Sequence, residues 1–392
     1  MNGVKLGLLL LALLIAATIA DWDGVTWVFY SGLVLLVIAF FWARASLIGV
    51  GLTRTLDADR VFAGDDIRER FHIRNRSIIP KTWIAVQDRS SLPGHAVGRS
   101  VSVGGRSEGT WLVRTRAQRR GRYRLGPLEL RSGDPFGLFS EHRKLELIHE
   151  LIVYPALVQL PPRERSGGEL SGSSRIAPGR TAGSPVIRSL RQYAVGDPMN
   201  QIAWRASARH GSLLVKELEP DPVSDEWVLL DLADTLDASS RRATEYAVSL
   251  AASYAMDWLD AGREVGLMVN RAIPAVVSAD AGDRQRLRIL ETLAVVEPYG
   301  QASPGDLIAR FAGRFSRSMG LVVVSTGTGE TFLKPLEHLT GRGVPLMVVT
   351  VAKTRDDFGE GWLDIERLGV PVTRLTPDGA RHAGQPALRS AS

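Results

Sequence analysis

The stretch EWVLLDL, residues 226–232, decides the fold of the larger part of this chain. A short apolar run of this kind, ending in an acid and a leucine, is typical of a strand buried on both faces. Between about 239 and 260 the apolar residues recur at a three-four spacing, which predicts a helix. A buried strand followed by such a helix is the first unit of an α/β domain.

The same alternation continues towards the carboxyl end of the chain. The next elements are predicted as strands at 264–270, 273–278, 321–325, 344–352 and 371–375 and helices at 283–296, 304–316 and 329–341. Apolar strands that alternate with helices predict a mostly parallel sheet covered on both faces. We therefore expect an α/β domain over 223–376 and a polar tail over 377–392.

The region 47–160 has a different pattern, because short segments alternate apolar and polar residues between Gly, Pro, Asn and Asp. The predicted strands lie at 68–75, 82–88, 109–117, 122–131 and 145–155. This spacing predicts an antiparallel β-sandwich-like domain. Residues 161–187 are rich in Gly, Ser, Arg and Pro and predict a flexible linker.

Two apolar segments precede these domains, at 4–20 and 25–43. Each is long enough, at about 26 to 28 Å as a helix, to cross the hydrocarbon core of a membrane. Residues 1–46 therefore predict a transmembrane helical hairpin that contacts lipid through residues 4–43. A signal peptide cleaved after Ala20 and a buried hairpin of a soluble protein are the alternatives.

Charges around the two segments predict the orientation. Basic residues lie outside the hairpin and acids lie in its turn: Lys5, Arg44, Arg54 and Arg60 against Asp21 and Asp23. The positive-inside bias predicts a multi-pass protein of the cell membrane with both ends in the cytoplasm.

A basic stretch lies within the β-rich region, with eight arginines and one acid, Glu108, between Arg99 and Arg124. Period-two spacing places Arg114 and Arg116 on one solvent face of a strand. That face is either simply solvated or held against anionic lipid head groups. Nucleic acid is not expected as a partner, since no fold signature or aromatic-basic array accompanies the charge.

Residues 188–222 form a distinct segment that includes GDPMNQIAWRASARHG at 196–211. Asp197 is expected to cap a helix with Pro198 in its first turn, and Gly211 to end that helix. The expected apolar face consists of Met199, Ile202, Ala203 and Ala206. The other face carries Trp204, Arg205 and Arg209, which either bind a partner or fold back onto acids such as Glu217, Glu219 and Asp221.

This segment resembles the domain of unknown function 58 family, and the residues that carry the resemblance are Arg191, Tyr193, Gly196-Asp197, Ile202-Ala203-Trp204, Ala208-Arg209 and Leu213-Leu214-Val215-Lys216-Glu217. Upstream motifs of the same family are Arg120-Gly121-Arg122-Tyr123, Leu125-Gly126-Pro127, Asp134-Pro135-Phe136-Gly137-Leu138-Phe139 and Val153-Tyr154-Pro155. The resemblance implies a bacterial membrane protein with a two-helix anchor and a von Willebrand factor A-like domain. It also implies association with a MoxR-type AAA+ ATPase.

Von Willebrand A-like domains often hold a divalent metal through an Asp-x-Ser-x-Ser loop, and here the matching residues are Asp231 and Thr235. Ala233 replaces the first serine, and Ser325-Thr326-Gly327 lacks the later acid. The loop at 300–306 offers Ser303 and Asp306 without the expected threonine. We therefore expect no cofactor, with Mg²⁺ at this degenerate site as the open alternative.

No catalytic motif is recognisable. The seven histidines are scattered, and the chain has no cysteine. The expected function is a membrane-anchored, non-enzymatic adaptor that works with a MoxR-type ATPase in protein assembly or remodelling. The alternatives are a metal-dependent hydrolase and a structural cell-envelope protein. The candidate partner-binding residues are Arg191, Tyr193, Gly196, Asp197, Trp204, Arg205 and Arg209.

Overall fold

The computed structural model describes residues 23–161, 187–194, 202–218, 225–232, 238–270, 273–297 and 304–379, together with the isolated positions 7, 11, 12, 14, 15, 197 and 199. Two compact units make up the chain. The β-rich unit comprises Met1–Ala156 with Leu290–Val296, and the α/β unit comprises Leu157–Ile289 with Glu297–Ser392. Nearly all of the predicted linker and of the polar tail lies outside the described residues.

The described part of the β-rich unit contains one long apolar helix, α1 (Asp23–Ala45). Its stretch Gly24–Ala45 has a mean hydropathy of 2.1 and is 6% buried, so its length and composition suit a membrane span. Asp23, which the sequence pattern placed in the turn, is the first described residue of α1. The first predicted span falls almost wholly outside the described residues, so the hairpin and its topology stay predictions.

Ten strands follow α1 in this unit. They are β1 (Val50–Leu56), β2 (Arg60–Phe62), β3 (Asp66–Asn75), β4 (Lys81–Asp88), β5 (Arg99–Val103), β6 (Glu108–Arg116), β7 (Gly121–Leu125), β8 (Leu128–Gly133), β9 (Ser140–Leu145) and β10 (His149–Tyr154). The strand predicted at 122–131 is two strands, since Gly126 and Pro127 interrupt it. The segment predicted as one strand at 145–155 holds only β10 and the last residue of β9.

These strands form sheets of order β1-β3-β6, β5-β4-β8-β9 and β2-β10-β7. The pairing is antiparallel except between β2 and β10, which run parallel. Alternating side chains of the first two sheets share one core, which includes Leu52, Phe71, Ile84, Val86 and Leu130. The predicted β-rich domain is confirmed in this form, with one parallel pair that the sequence pattern did not reveal.

The α/β unit contains eight strands and six α-helices in its described part. The strands are β11 (Ile187–Gln192), β12 (Leu214–Leu218), β13 (Asp225–Asp231), β14 (Glu264–Asn270), β15 (Ala275–Asp280), β16 (Met319–Ser325), β17 (Leu346–Val351) and β18 (Val372–Leu375). The helices are α2 (Trp204–His210), α3 (Ala238–Asp260), α4 (Gly282–Ala294), α5 (Pro304–Phe311), α6 (Leu333–Gly341) and α7 (Gly361–Arg367). Residues 290–294 of α4 cluster with the β-rich unit.

Six of these strands form one mixed sheet of order β15-β14-β13-β16-β17-β18. All neighbours pair in parallel except β14 and β15, which are antiparallel at one edge. The strand order reverses next to β13, whose neighbours β14 and β16 lie on opposite sides. In a doubly wound sheet this switch point, at the carboxyl ends of the strands, is where ligands bind.

Candidate functional site

The carboxyl edge of the mixed sheet brings three polar residues together at the switch point. Asp231, the last residue of β13, is in register with Asn270 at the end of β14 and with Ser325 at the end of β16. Neighbouring strands lie about 4.8 Å apart, so in-register side chains on one face can contact each other directly. All three residues are buried.

The Asp231 carboxylate is held by one donor on each oxygen. Asn270 Nδ2 donates to Oδ1 over 2.7 Å, and Ser325 Oγ donates to Oδ2 over 2.7 Å. The backbone N–H of Gly327 in turn donates to Ser325 Oγ over 3.0 Å, and that of Thr326 donates to the Asp231 carbonyl over 3.2 Å. The carboxylate is therefore fixed in position by two side chains and a turn.

Burial raises the pKa of Asp231, while the hydrogen bonds from Asn270 and Ser325 oppose that rise. A buried carboxylate with a raised pKa is a feature of many functional sites and is also found in structural networks. Asn270 was missed in the sequence analysis. The signal was present, because Asn270 and Ser325 each end an otherwise apolar strand.

Asp231, Asn270 and Ser325 do not by themselves form a cation site. They supply one carboxylate, one amide and one hydroxyl, and both carboxylate oxygens already accept hydrogen bonds. A cation such as Mg²⁺ takes six oxygen ligands in near-octahedral geometry and would have to displace the Asn270 and Ser325 donors. Thr235 and Ser303 lie outside the described residues, and Asp306 is exposed in the first turn of α5.

The described residues of the segment 188–222 form an antiparallel pair of strands, β11 and β12, with α2 between them along the chain. Ala203 N–H donates to the Leu214 carbonyl, and Ser207 Oγ accepts from the Leu214 N–H over 2.9 Å. Ile202 and Val215 are buried and form a β-bridge. The short helix is thereby fastened to β12, an arrangement that the helical pattern alone did not reveal.

The predicted start of this helix is wrong. α2 spans Trp204–His210, so it begins seven residues after Asp197. Met199, expected on the apolar face, has 73% of its surface exposed. The predicted end is correct, since Gly211 adopts a left-handed conformation with φ of 74°.

Asp197 instead pairs with Arg191. The Arg191 guanidinium donates from Nη1 and Nη2 to the two Asp197 oxygens over 2.7 and 2.6 Å, and the Ala194 N–H donates over 2.8 Å. The Arg191 hydrogen bonds and the Ala194 N–H lower the pKa of Asp197 to about 2. These two signature residues therefore stabilise the turn that follows β11.

Two further candidates lie in the same turn region. The backbone N–H of Tyr193 donates to the Leu213 carbonyl, and Gly196 lies outside the described residues.

The remaining candidates project outward from α2. Trp204 has 62% of its surface exposed, and Arg205 and Arg209 are exposed one turn apart. Apolar side chains nearby in sequence are exposed as well: Leu190, Met199 and Leu213. Glu219 and Asp221, named as possible acid partners, lie outside the described residues. We call Trp204, Arg205, Arg209, Met199 and Leu213 the α2 surface.

The arginine-rich face in the β-rich unit is present as predicted. Arg114 and Arg116 are both exposed on β6. Arg68 on β3 lies directly opposite Arg114, and Arg70 lies opposite the exposed Leu112. On the same face Asp66 lies opposite Arg116 and Glu108 pairs with Arg74, so acidic side chains offset part of the positive charge.

A buried ionic cluster in the same unit was not expected. Arg54, one of the basic residues that predicted the orientation of the hairpin, has only 4% of its surface exposed. Its Nη1 lies 2.6 Å from Asp88 Oδ2 and 3.6 Å from Glu69 Oε2, and His95 also contacts Glu69. Burial raises the pKa of Asp88, and the Arg54 guanidinium opposes that rise.

Glu69, Asp88 and His95 are close enough to offer three metal ligands, within the described part of the chain. The Arg54 guanidinium already supplies positive charge to both carboxylates at this position. It also donates from Nη2 to the carbonyls of Leu125 and Leu147 over 2.8 Å each. A bound cation would be repelled by this guanidinium, so the cluster is better described as a buried network of ion pairs within the sandwich.

Comparison with known families supports the resemblance over the α/β unit. Residues 189–360 match the model of the family described as protein of unknown function DUF58. The uncharacterized protein YeaD of Bacillus subtilis (strain 168) is 26% identical over 365 residues, which cover 89% of this chain and 88% of that protein. The uncharacterized protein Rv1480 of Mycobacterium tuberculosis H37Rv is 25% identical over 191 residues, 46% of this chain and 60% of that protein.

Similarity to solved structures is lower. The VWA domain of SpRpn10 matches 39% of this chain and 88% of its own, at 12% identity and a TM-score of 0.29. The CARDB domain of the PF1109 protein from Pyrococcus furiosus matches 26% of this chain and 91% of its own, at 13% identity and a TM-score of 0.21. Strand order and register, rather than these similarities, define the architecture of both units.

Proposed function

We propose that this chain is a membrane-anchored, non-enzymatic interaction module that uses its von Willebrand A-like α/β unit to bind a protein partner. The single observation that carries the proposal is the α2 surface. It presents a large exposed tryptophan and two exposed arginines on a helix that is hydrogen-bonded to a hairpin. Tryptophan and arginine are the residue types most enriched among the side chains that dominate binding energy at interfaces.

The way α2 is held supports this proposal. Ser207 and Leu214 tie the helix to β12, and the Arg191–Asp197 pair stabilises the turn before it. A rigid surface loses little conformational freedom on binding, so more of its contact energy contributes to affinity. The signature residues thus have two roles, since Arg191 and Asp197 build the frame and Trp204, Arg205 and Arg209 provide the contacts.

Charge indicates the kind of partner surface. Arg205 and Arg209 are four residues apart on one helix face, where like charges repel each other, and His210 adds a third basic group in the last turn. A partner surface with acidic side chains around an apolar pocket for Trp204 would offset the repulsion between Arg205 and Arg209. We propose a MoxR-type AAA+ ATPase as the partner and protein assembly or remodelling as the process, on the basis of the family resemblance.

Membrane anchoring is part of the same proposal. α1 is apolar, almost wholly unburied, and has aromatic side chains such as Trp27 and Tyr30 near its beginning. A signal peptide cleaved after Ala20 would leave α1 in the mature chain, so the alternative to test is a soluble protein that buries α1. An anchor keeps the chain in the membrane fraction through an alkaline carbonate wash, whereas a soluble protein is released.

Co-purification tests the adaptor proposal. The full chain is solubilised from membranes in detergent, and bound proteins are compared between the wild type and a Trp204→Ala variant. Recovery of the ATPase with the wild type, and its loss with the variant, is the expected result. Equal recovery with both proteins would remove the α2 surface from the proposal.

A metal-dependent hydrolase remains the second candidate, favoured by the buried Asp231 carboxylate at the switch point. The two functions respond differently to Asp231→Ala in a protein that still folds. Partner binding would persist, whereas turnover that depends on a metal at Asp231 would be lost.

A further inference from the structure

The carboxyl end of α1 is fixed to the β-sandwich by a buried lysine. Lys81, the first residue of β4, donates from Nζ to the Ala45 carbonyl over 2.7 Å and has 3% of its surface exposed. The same carbonyl also accepts a hydrogen bond from the Ile48 N–H over 3.2 Å, and a cation at the carboxyl end of a helix interacts favourably with the helix dipole. Burial lowers the pKa of Lys81. The turn that precedes β4 is therefore held beside the point where α1 ends.

That turn, residues 76–80, is rigidly built but exposes apolar side chains. The Arg76 N–H donates to the Gly49 carbonyl over 2.8 Å, just beyond the end of α1. Asn75 Nδ2 donates to the carbonyls of Ile79 and Gly104 over 2.9 and 2.8 Å. Ile78 and Ile79 nevertheless have 73% and 43% of their surfaces exposed.

A second loop lies beside α1 slightly earlier along the helix. The ring of Phe139 packs edge-on against Phe40 of α1, with centroids 5.6 Å apart. The loop is ordered by Asp134, a fully buried residue whose carboxylate accepts backbone N–H bonds from Phe136, Leu138 and Phe139 over 2.8, 3.3 and 2.6 Å. Phe136 projects from this loop with 57% of its surface exposed.

These two loops and the segment after α1 present four large exposed apolar side chains around one end of the helix: Ile48, Ile78, Ile79 and Phe136. We call this set the collar. Basic side chains accompany it, because Arg76 and Arg106 are exposed on the neighbouring turns. Arg106 occupies this place although its φ of 52° favours glycine, and its N–H donates to the Ser77 carbonyl.

We infer that the collar inserts into the interfacial layer of the bilayer that α1 crosses, with Arg76 and Arg106 at the level of anionic lipid head groups. This inference rests on the proposed membrane anchor. Hydrogen bonds and a ring contact connect both loops to residues 40–49, so wherever α1 leaves the bilayer the collar lies at its surface. Apolar side chains flanked by arginine are the composition that partitions into the headgroup and acyl boundary.

The chain contains no cysteine, so single-cysteine variants allow a direct test with the full-length protein. Ile78→Cys and Phe136→Cys place a thiol in the collar at positions where the native side chain is 73% and 57% exposed. Ala58→Cys is the matched control, because it is exposed beyond the far end of β1, about 20 Å from the collar. Each thiol is labelled with an environment-sensitive fluorophore, and each protein is reconstituted into vesicles of equal parts phosphatidylcholine and phosphatidylglycerol.

The expected result is quenching of the labels at 78 and 136 by nitroxide-bearing lipid, with accessibility to aqueous iodide reduced about tenfold or more relative to the label at 58. Equal iodide accessibility at all three positions, in protein that resists carbonate extraction, would overturn the collar inference and leave the anchor intact. Release by carbonate would instead contradict the anchor. The labels could instead become less accessible to iodide in detergent as the protein concentration rises. That result would show that a second copy of the chain covers the collar, and it would also overturn the inference.

Discussion

Ser325 Oγ donates a 2.7 Å hydrogen bond to Asp231 Oδ2 between neighbouring parallel strands, and both side chains are buried. Hydrogen bonds to buried charged groups contribute about 1.5 to 3 kcal/mol each. Ser325→Ala should therefore lower the free energy of unfolding of the α/β unit by about that amount. Thermal unfolding of the full chain in detergent measures the change. Ser316→Ala, at an exposed serine, is the matched control and should change it by less than about 0.5 kcal/mol.

The pH dependence of stability tests the ionisation of Asp231. Burial raises the folded-state pKa of this carboxyl above its unfolded value, so the folded state binds the proton more tightly. The contribution of Asp231 therefore becomes more favourable as pH falls from neutral through the raised pKa. Asp231→Asn removes this contribution. The free energy of unfolding of the wild type should therefore increase relative to that of the variant as pH falls over the same interval. A difference that is independent of pH would contradict the raised pKa.

Much of the α/β unit could be predicted because its signals are local. The apolar run ending at Asp231 and the three-four spacing of α3 located these elements to within a residue or two. The pairing of Asp231 with Asn270 and Ser325 could not be predicted, because it depends on strand order rather than on any spacing along the chain. Asp197 misled the prediction for a different reason, because the Asp-Pro pattern is typical of a helix start and gives no sign of the ion pair with Arg191 on β11.

The buried ionic cluster in the sandwich predicts a large effect of one substitution. Arg54→Met leaves the Glu69 and Asp88 carboxylates buried without their guanidinium partner. Breaking a buried pair in this way costs about 3 to 5 kcal/mol. Chemical denaturation of the β-rich unit measures the loss.

The same cluster offers a compensated control. Combining Arg54→Met with Glu69→Gln and Asp88→Asn removes the stranded charges and should recover part of that loss. If Arg54→Met alone lowered the free energy of unfolding by less than about 1 kcal/mol, the result would contradict a stabilising role of the buried ion pairs.

The Arg191–Asp197 pair makes a prediction about one titration. The pKa of Asp197 is lowered to about 2, so its carboxylate and the bidentate contact should persist down to that pH. A carboxyl NMR titration should give a midpoint near 2, and Arg191→Gln should raise it towards the ordinary value of about 4. Arg205→Gln, at an exposed arginine of α2, is the control and should leave the midpoint unchanged. A wild-type midpoint near 4 would show that the pair is absent in solution.

The central claim is that the α2 surface binds a protein partner, and the most direct test is the affinity of the detergent-solubilised full chain for a purified MoxR-type AAA+ ATPase of the same organism. Trp204→Ala should raise Kd about thirtyfold, as loss of a dominant interface tryptophan does, and Arg209→Ala should raise it in the same direction. Leu363→Ala and Arg310→Ala, at exposed apolar and basic positions of α7 and α5, are the matched controls and should leave Kd unchanged. An unchanged Kd for Trp204→Ala in a protein of wild-type stability would contradict the claim.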